Sequence, residues 1–577
     1  MRRISDERVK SIIWGIIFSV IPMIAFYLME SYEHNPFEEV RSKAQCFNVI
    51  LFEFIAWIMY LILGNAKWAL RIVLAVSMIF GLVNHYVMLF RTTPFVPWDI
   101  FSINTAASVV SNYDFTPSTR VVVVSILFVV LIVLMHFINH KMKMGFYLRM
   151  IPFAVVTICL CVFVNMLQDD DFQTENYLYP FLFTPGYMTQ VNGMAVTFAM
   201  DLEYLAIDKP SGYNADEAKE ELAEYADAET VTSQKLPNII VIMDEAFADL
   251  KVLDEFYTNV DYMPFVHSMQ NGKENTVSGY LNVSVCGGNT ANTEFEFLTG
   301  NTMAFLPTGS IPYQQYIKQD IPSLASYLSG LGYQTYAQHP YLASGWNRDK
   351  VYEWMGFDNM TFIDGYSSRK LIRNYINDES SFEQIKRTFE EKEDGKPAFI
   401  FNVTMQNHGG YSDTYSDFVN SVRTIDHKSN DLDQYLTLLS ISDSEVEKLI
   451  AYFSGVDEDT VVVFFGDHQP NDFVTSPIAR TTENDYNRYQ VPYFIWANYD
   501  IDEAVNVNTS ANYLAANVLK AAGVPTDEYQ NFLLQLEKEF PIISAVRTKS
   551  TEDADEQLLE KYKKLQYYML FDWEEDN

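Results

Sequence analysis

Two hydrophobic segments of this chain each end in residues that can bind a metal ion. The first, residues 238–243, is followed by an acidic pair that ends in Glu245. The second, residues 460–465, is followed after one glycine by Asp467 and His468. Such runs of Val, Ile and Phe are typical of buried strands in a parallel sheet. Their carboxyl ends meet at one edge of an open α/β sheet, so we expect these three side chains to bind one cation there.

Only one residue of the acidic pair should face that site, because side chains alternate along a strand. We favour Glu245 as the ligand and assign Asp244 a structural role. Taken alone, Asp467 and His468 would be interpreted as a capping aspartate and a surface histidine. The carboxylate at the end of the other strand favours a metal site instead.

A possible nucleophile follows a glycine-rich segment. Thr290 comes after Gly287, Gly288 and Asn289 and precedes a predicted helix, residues 293–298. Free N–H groups at a helix N-terminus can hold phosphate oxygens, and a divalent cation activates a hydroxyl that it binds. The alternative is that this threonine or the one at position 293 only caps the helix. Spacing alone favours the capping interpretation.

Further candidates lie between these segments. His339, Trp346 and Arg348 form a cluster within ten residues. Arginine suits a phosphate group because its planar fork binds two oxygens, and the alternative is a surface loop with a packed tryptophan. His408 follows another apolar segment, so it could protonate a leaving group, bind phosphate or hold a second metal ion.

The chain of 577 residues is too long for one ordinary domain, and its first part is strongly apolar. Each of five segments approaches the ~20 apolar residues that a bilayer requires. The first is not a cleavable signal peptide, since further spans follow it. We therefore predict five transmembrane helices, at residues 9–29, 46–65, 69–90, 120–140 and 149–167.

Charges and cysteines indicate the location. Basic residues precede the first span and occur in the second and fourth loops, which places the N-terminus in the cytoplasm and everything after about residue 168 outside. A net charge of −35 excludes a nucleic-acid partner, because phosphate binding needs a basic surface. Only Cys286 of the four cysteines follows the spans, so no disulfide stabilises that part. This favours a multi-pass protein of a bacterial cell membrane.

Residues 236–545 alternate apolar strand-like and helical segments, which predicts an α/β domain with a mostly parallel sheet and helices on both faces. We predict a transmembrane domain at residues 1–167, an extracellular linker with helices at 168–235 and an acidic C-terminal helix or tail at 546–577. The predicted strands are residues 238–243, 334–338, 398–404, 460–465 and 492–497.

The motifs together resemble the lipoteichoic acid synthase family, which are membrane-anchored phosphoglycerol transferases with a sulfatase-like domain of the alkaline phosphatase superfamily. The resemblance covers nearly the whole chain. Its specific pieces, in order, are Glu245 at a strand end, Gly288-Asn289-Thr290 leading to Glu294-Phe295, Trp346-Asn347-Arg348-Asp349, Asn407-His408 and Gly466-Asp467-His468.

The resemblance implies a function in cell wall biogenesis. Thr290 would attack the phosphate of phosphatidylglycerol, release diacylglycerol and form a phosphoglycerol-threonine intermediate. A lipoteichoic acid chain, a glycolipid or a cell-wall polysaccharide would then accept the phosphoglycerol. One divalent ion, usually Mn²⁺ but with Mg²⁺ or Zn²⁺ as alternatives, would be held by Glu245, Thr290, Asp467 and His468. The residues that would contact the phosphoglycerol are His339, Trp346, Arg348 and His408.

Two departures from the family concern the acceptor and the glycerol contacts. Asn289 stands where many members have a basic residue, and an acidic residue of the glycerol site is replaced near Tyr341. A sulfatase with a formylglycine nucleophile is excluded, because Cys286 does not begin a Cys-x-Pro-x-Arg motif. The alternatives are a phosphoethanolamine transferase, another phosphodiester or sulfate ester hydrolase of the superfamily, or a non-catalytic cell-surface protein.

Overall fold

The computed structural model describes residues 2–91, 94–102, 117–138, 140–179, 185–205, 207–226, 235–307, 310–416, 418–478 and 482–574. The chain divides into two compact units, Met1–Ile207 and Asp208–Asn577. Each unit is described by itself below.

The first unit is helical in its described part. Its α-helices are Arg2–Glu30, Pro36–Glu39, Ser42–Leu63, Ala66–Arg91, Thr119–Leu134, Phe146–Leu167, Asp170–Asn176, Pro185–Asn192 and Met194–Asp201. Short 3₁₀ helices are Pro97–Ser102, Met135–Phe137 and Leu202–Leu205.

Four described helices are long and apolar enough to cross a membrane: Ser42–Leu63, Ala66–Leu89, Thr119–Phe137 and Phe146–Leu167. The first predicted span falls in the helix Arg2–Glu30, whose described apolar part, Trp14–Glu30, is shorter. The prediction of membrane spans is therefore confirmed for four segments, and the count of five is not.

The surface of this unit suits a lipid environment. Ile151 and Ile158, for example, are 67% and 62% exposed on one helix, and contiguous exposed apolar surface of this kind marks membrane contact. The segment after the last long helix folds back on the unit. The Asn48 amide donates to the Asn192 carbonyl at 2.7 Å, and Val196 N donates to Asn48 Oδ1 at 3.1 Å.

The second unit is an α/β domain. Its strands are β1 (Asn238–Asp244), β2 (Thr276–Asn282), β3 (Gln334–Gln338), β4 (Asn359–Thr361), β5 (Leu371–Ile372), β6 (Tyr375–Ile376), β7 (Ala398–Val403), β8 (Thr460–Gly466), β9 (Gln490–Ala497), β10 (Thr509–Ser510), β11 (Ile542–Ser544) and β12 (Arg547–Lys549). Its α-helices are Ala215–Ala223, Pro264–Gln270, Thr290–Thr299, Pro312–Gln315, Leu324–Gly330, Arg348–Trp354, Asp378–Glu391, Asn430–Phe453, Asp472–Thr475, Ala511–Ala522, Glu528–Glu539 and Glu556–Tyr567.

The described part of this unit contains an eight-stranded sheet of order β10-β2-β9-β8-β1-β7-β3-β4. Every neighbouring pair is parallel except the two pairs that β9 makes. The prediction of a mostly parallel sheet is confirmed. β1 lies between β7 and β8, with Ile240 opposite Ile400 and Val462. All residues of these three strands are buried, which explains their continuous apolar sequences.

All five predicted strands are present. The sequence did not indicate β2 or the six shorter strands β4, β5, β6, β10, β11 and β12. The helix Glu556–Tyr567 lies in the acidic C-terminal segment and supports the helix Thr290–Thr299 at its C-terminal end. Tyr562 Oη donates to the Gly300 carbonyl at 2.7 Å, and Gln566 exchanges hydrogen bonds with the backbone of Thr302 at 2.7 and 3.0 Å. These contacts hold the helix that begins at the candidate nucleophile.

Candidate functional site

Glu245, Asp467 and His468 meet at the carboxyl edge of the sheet. β1 and β8 are parallel neighbours with Asp244 opposite Gly466, so the residues that follow the two strands come out side by side. One ligand atom from each of the three residues lies within 4.8 Å of the other two, and all three side chains are buried. The three residues predicted from the sequence as metal ligands thus form a group that can hold a metal ion.

The carboxylate of Asp467 is oriented by the backbone. Its Oδ1 accepts hydrogen bonds from the N–H groups of Ala246 at 2.6 Å and His468 at 2.7 Å. Its Oδ2 is buried without a hydrogen-bond partner and lies 3.3 Å from His468 Nε2. The free oxygen is therefore the one that faces the other candidate ligands.

The imidazole of His468 is oriented in the same way. Its Nδ1 lies 2.9 Å from the Gln469 carbonyl oxygen, which can only accept, so Nδ1 carries the proton and Nε2 presents a lone pair. Nε2 is buried without a hydrogen-bond partner, 3.8 Å from Glu245 Oε1. Leaving a buried polar atom unpaired costs about 1–3 kcal/mol. A divalent cation would satisfy both orphaned atoms, so the residues fit a metal ion.

Electrostatics give the same indication. Burial raises the pKa of Glu245 well above its usual value, and the charge of Asp467 raises it further. Burial likewise raises the pKa of Asp467. A cation between the two carboxylates would favour their charged forms and reverse these shifts.

Asp244 lies behind the site and is held by the residues that follow β7. Its Oδ1 accepts from Asn407 Nδ2 at 2.9 Å and from Thr404 Oγ1 at 3.3 Å. The same threonine hydroxyl accepts from Glu245 N at 3.0 Å. Asp244 is absent from the metal-binding group, and these bonds fix the backbone that presents Glu245.

Thr290 is the first residue of the helix Thr290–Thr299, and it is 6% exposed. Its hydroxyl lies 3.3 Å from Glu245 Oε2, to which it donates. The preceding Asn289 has a left-handed backbone with φ of 65° and is the residue at the cap position. Thr293, the other candidate cap, donates to the Asp467 carbonyl at 2.8 Å. Both threonines are thus directed at the metal-binding group, at the positive end of a helix.

Arg348 begins the helix Arg348–Trp354 and lies in a buried ion pair. Its Nε donates to both carboxylate oxygens of Glu294 at 3.0 and 3.3 Å, and its Nη2 bonds Oε1. Tyr352 Oη adds a hydrogen bond to Glu294 at 2.6 Å. The fork that we expected to bind two phosphate oxygens is therefore occupied by Glu294, and Nη1 lies 3.2 Å from His339 Nε2.

His339 follows β3 and is buried as a neutral imidazole. Its Nδ1 donates to the Val403 carbonyl at 3.1 Å, so Nε2 accepts from Arg348. Burial lowers the pKa of His339 well below its usual value, Arg348 lowers it further, and His408 adds a weaker effect. These effects favour the neutral imidazole that the hydrogen-bond arrangement requires.

Trp346 directly precedes this cluster and is partly buried. Trp346 and Asn347 have consecutive left-handed backbones, with φ of 57° and 58°. Non-glycine residues seldom adopt this conformation, and where they do the strain is often tied to a function. The structure places Trp346 beside Arg348 in the chain and gives it no described role.

His408 follows β7, and its ring is exposed. Its Nδ1 lies 3.0 Å from Tyr375 Oη, and the Arg373 guanidinium donates to its carbonyl oxygen at 2.9 Å. Sequence reasoning missed Arg373 and Tyr375, and it quoted Glu294 without giving it a role. The one local signal was the pattern Leu-Ile-Arg-Asn-Tyr-Ile at residues 371–376, in which a polar pair separates two pairs of strand-forming residues.

Comparisons with known proteins agree with this geometry. Residues 237–524 match the sulfatase family. A putative cyclic β-1,2-glucan modification protein of Rhizobium meliloti is 33% identical over 378 residues, which are 63% of this chain and 55% of that protein. Lipoteichoic acid synthase 1 of Bacillus subtilis is 24% identical over 247 residues, 42% of this chain and 37% of that protein. The chain thus spans about half the length of these relatives, or less.

The fold also has a solved counterpart. The phosphoglycerol transferase GacH of Streptococcus pyogenes, in complex with sn-glycerol-1-phosphate, superposes with a TM-score of 0.52 and is 21% identical. The match covers 63% of this chain and 95% of the other. At this identity the likeness establishes the α/β fold of the second unit.

Proposed function

We propose that the protein is a phosphoglycerol transferase, on the premise that residues 237–524 match the sulfatase family and that a lipoteichoic acid synthase is among its relatives. It moves the phosphoglycerol group of phosphatidylglycerol to a saccharide acceptor. It works at the outer face of a bacterial cell membrane, where the lipid donor is already in the bilayer. The four apolar helices anchor it there.

One observation carries this proposal. A threonine hydroxyl at the start of a helix lies 3.3 Å from Glu245, within a buried group whose facing atoms on Asp467 and His468 lack partners. A buried hydroxyl, two carboxylates and an imidazole at the edge of a parallel sheet are the parts of a metal-assisted phosphoryl transfer site. A non-catalytic surface protein has no physical reason to keep these polar atoms unpaired.

The residues that would hold the cation are Glu245, Thr290, Asp467 and His468. Three hard oxygen ligands and one imidazole, without a thiolate, favour Mn²⁺ or Mg²⁺ and leave Zn²⁺ as an alternative. When bound, the ion supplies positive charge that activates the threonine oxygen and stabilises charge on the phosphoryl oxygens.

The chain's own residues then carry out two displacements. In the first, Thr290 Oγ1 forms a bond to phosphorus and gives up its proton to solvent while the P–O bond to diacylglycerol breaks. His408, exposed beside the site, protonates the departing diacylglycerol oxygen. In the second, His408 takes the proton of an acceptor hydroxyl, whose oxygen bonds to phosphorus. The bond to Thr290 breaks, and the threonine oxygen regains a proton from solvent. Each half-reaction exchanges one ester bond for another.

The choice of donor and acceptor rests on the related proteins. GacH, whose fold matches, is a phosphoglycerol transferase, and the relative with 33% identity is named for modification of a cyclic β-1,2-glucan. We therefore favour a saccharide acceptor over a lipoteichoic acid chain or a glycolipid. His339, Trp346, Arg348 and His408 remain the residues that we expect to contact the phosphoglycerol, with the Arg348 fork held by Glu294.

The test uses the full-length protein in detergent with fluorescent phosphatidylglycerol and Mn²⁺. We expect Mn²⁺-dependent release of diacylglycerol, and intact mass should show one added phosphoglycerol that maps to Thr290. Thr290→Ala should abolish both signals. Thr299→Ala, which removes a hydroxyl at the far end of the same helix, is the matched control and should leave both unchanged.

Two results contradict the proposal. Release from phosphatidylethanolamine but not from phosphatidylglycerol would identify a phosphoethanolamine transferase. Near-normal turnover by Thr290→Ala would exclude this residue as the nucleophile.

A further inference from the structure

A small hairpin contacts His408, the candidate residue that follows β7. β5 and β6 pair antiparallel, with Leu371 opposite Ile376 and Ile372 opposite Tyr375. Arg373, in the turn, has a left-handed backbone with φ of 58°. Such turns favour asparagine or glycine at this position, so an arginine is retained there at a conformational cost.

The side chain of Arg373 explains why this residue occupies the turn. It is 1% exposed, and its Nη2 donates to the carbonyl oxygens of His408 and Gly409 at 2.9 and 2.8 Å. The guanidinium also stacks on the rings of Tyr411 and Tyr415, at 5.1 and 5.3 Å from their centroids. The hairpin therefore fixes the backbone that carries His408.

Tyr375 fixes the imidazole itself. Its hydroxyl lies 3.0 Å from His408 Nδ1, and the two ring centroids are 5.1 Å apart. Because Nδ1 is hydrogen-bonded to Tyr375, only Nε2 of this imidazole is available to contact a substrate. One hairpin thus sets both the main chain and the ring orientation of a single exposed histidine.

Charge gives the hairpin a second effect. Two carboxylates, Glu245 and Asp467, balance the two positive charges of a divalent cation, and Glu294 balances Arg348. Arg373 makes no ion pair with a carboxylate among the residues that the structure describes. Its Nε and Nη1 are buried without a hydrogen-bond partner, and the guanidinium lies over the Tyr411 ring. A bound phosphodiester adds one negative charge, which Arg373 can offset.

We propose that the hairpin Leu371–Ile376 is the positioning element of the transfer site: Tyr375 and Arg373 hold His408 for proton transfer, and Arg373 supplies positive charge for the phosphodiester. Both are positioning residues, since neither is required to touch the substrate. This inference rests on the proposed function, because it assigns the residues that make His408 effective in that reaction.

Three variants of the full-length protein test it: Tyr375→Phe, Arg373→Gln and Arg373→Lys. Removal of a group that orients an active residue typically costs about 10–100-fold. We expect Tyr375→Phe to lower kcat for diacylglycerol release about tenfold with little change in KM, and Arg373→Gln to lower kcat/KM about 100-fold. Arg373→Lys should recover part of the loss because it keeps the charge. Mn²⁺ affinity should not change.

A double-mutant cycle separates positioning from a merely structural role. In a His408→Gln background, Tyr375→Phe should have no further effect on the rate, because the group that it positions is gone. The matched controls are Tyr452→Phe and Arg387→Gln, which remove exposed contacts to Glu390 and Glu391 and should leave the rate unchanged.

The outcomes are distinguishable. If the wild type and the controls release diacylglycerol and both hairpin variants do so at wild-type rates, this inference is wrong while the proposed function stands. An additive effect in the cycle would also overturn it. If Arg373→Gln does not fold, the result for Tyr375→Phe tests the inference alone. That variant removes only one oxygen atom and should fold. A wild type inactive on every lipid would overturn the proposed function, and the inference with it.

Discussion

We predict that the ion pair between Glu294 and Arg348 stabilises the folded protein, and its geometry gives the magnitude of this effect. Their side chains are 0% and 3% exposed. Glu294 accepts from Arg348 through Nε and Nη2 and from the hydroxyl of Tyr352. Glu294→Gln keeps the shape and one acceptor oxygen but leaves the arginine charge buried without a counter-charge.

Removing one partner of a buried ion pair typically costs about 3–5 kcal/mol. Because the replacing amide still accepts one hydrogen bond, we expect the lower end, about 3 kcal/mol, which is roughly a 100-fold change in the folding equilibrium. The assay is thermal unfolding of the full-length protein in detergent, followed by near-ultraviolet circular dichroism. The control is Glu391→Gln, which breaks an exposed pair with Arg387 that is worth about 0–1 kcal/mol.

A double variant tests the cause. Replacing both partners, Glu294→Gln with Arg348→Met, should restore much of the lost stability, because no charge then remains buried without a partner. If Glu294→Gln is no more destabilising than Glu391→Gln, the buried ion pair does not stabilise the fold as we describe. If the double variant is as unstable as the single one, the loss comes from packing.

Two further predictions concern the metal group and pH. Asp467→Asn should weaken Mn²⁺ binding by at least about tenfold, measured by isothermal titration, and an unchanged affinity would place the ion elsewhere. Burial lowers the pKa of His267, but hydrogen bonds to Asp249 and Asp261 outweigh it and raise that pKa above its usual value. The stabilisation is therefore complete below the unfolded-state pKa of about 6.5 and is lost as the pH rises through the folded-state pKa. Thermal midpoints from about pH 6 to 9 should fall more for the wild type than for His267→Gln, and parallel curves would contradict this.

The sequence indicated the sheet and the metal group for one physical reason. β1 and β8 are buried on both faces, so their sequences are continuously apolar, and parallel pairing then brings the residues after them together. β2 reads Thr-Val-Ser-Gly-Tyr-Leu-Asn, without a continuous apolar run or a regular alternation. Its place in the sheet is fixed by antiparallel pairing with β9, more than 200 residues later, which no local pattern records.

The ion pair beside the site could not be predicted from the sequence either. Glu294 and Arg348 are 54 residues apart, and nothing in their separation marks a bidentate pair. The expectation that the arginine fork binds phosphate was chemically sound, because a guanidinium binds any planar pair of oxygens. The fold supplies those oxygens from a carboxylate instead. Which arginine has its charge neutralised by a carboxylate therefore depends on contacts between distant parts of the chain. The amino-acid composition does not determine it.

That pairing bears on substrate charge. Burial and the neighbouring Asp378 raise the pKa of Asp244 well above its usual value, which favours its neutral form. With a divalent cation balanced by Glu245 and Asp467, and Arg348 balanced by Glu294, Arg373 is then a buried positive charge next to His408 that has no ion pair among the described residues. A net charge of about one suits a phosphodiester, which carries one negative charge, better than a phosphate monoester, which carries about 1.5 to 2. A sulfate ester has the charge of a diester, but Cys286 does not begin the Cys-x-Pro-x-Arg motif of a formylglycine-dependent sulfatase. We therefore expect the protein to cleave a phosphodiester faster than the monoester of the same alcohol, and Arg373→Gln should reduce that preference. Equal rates for the two esters would show that the site does not select by charge.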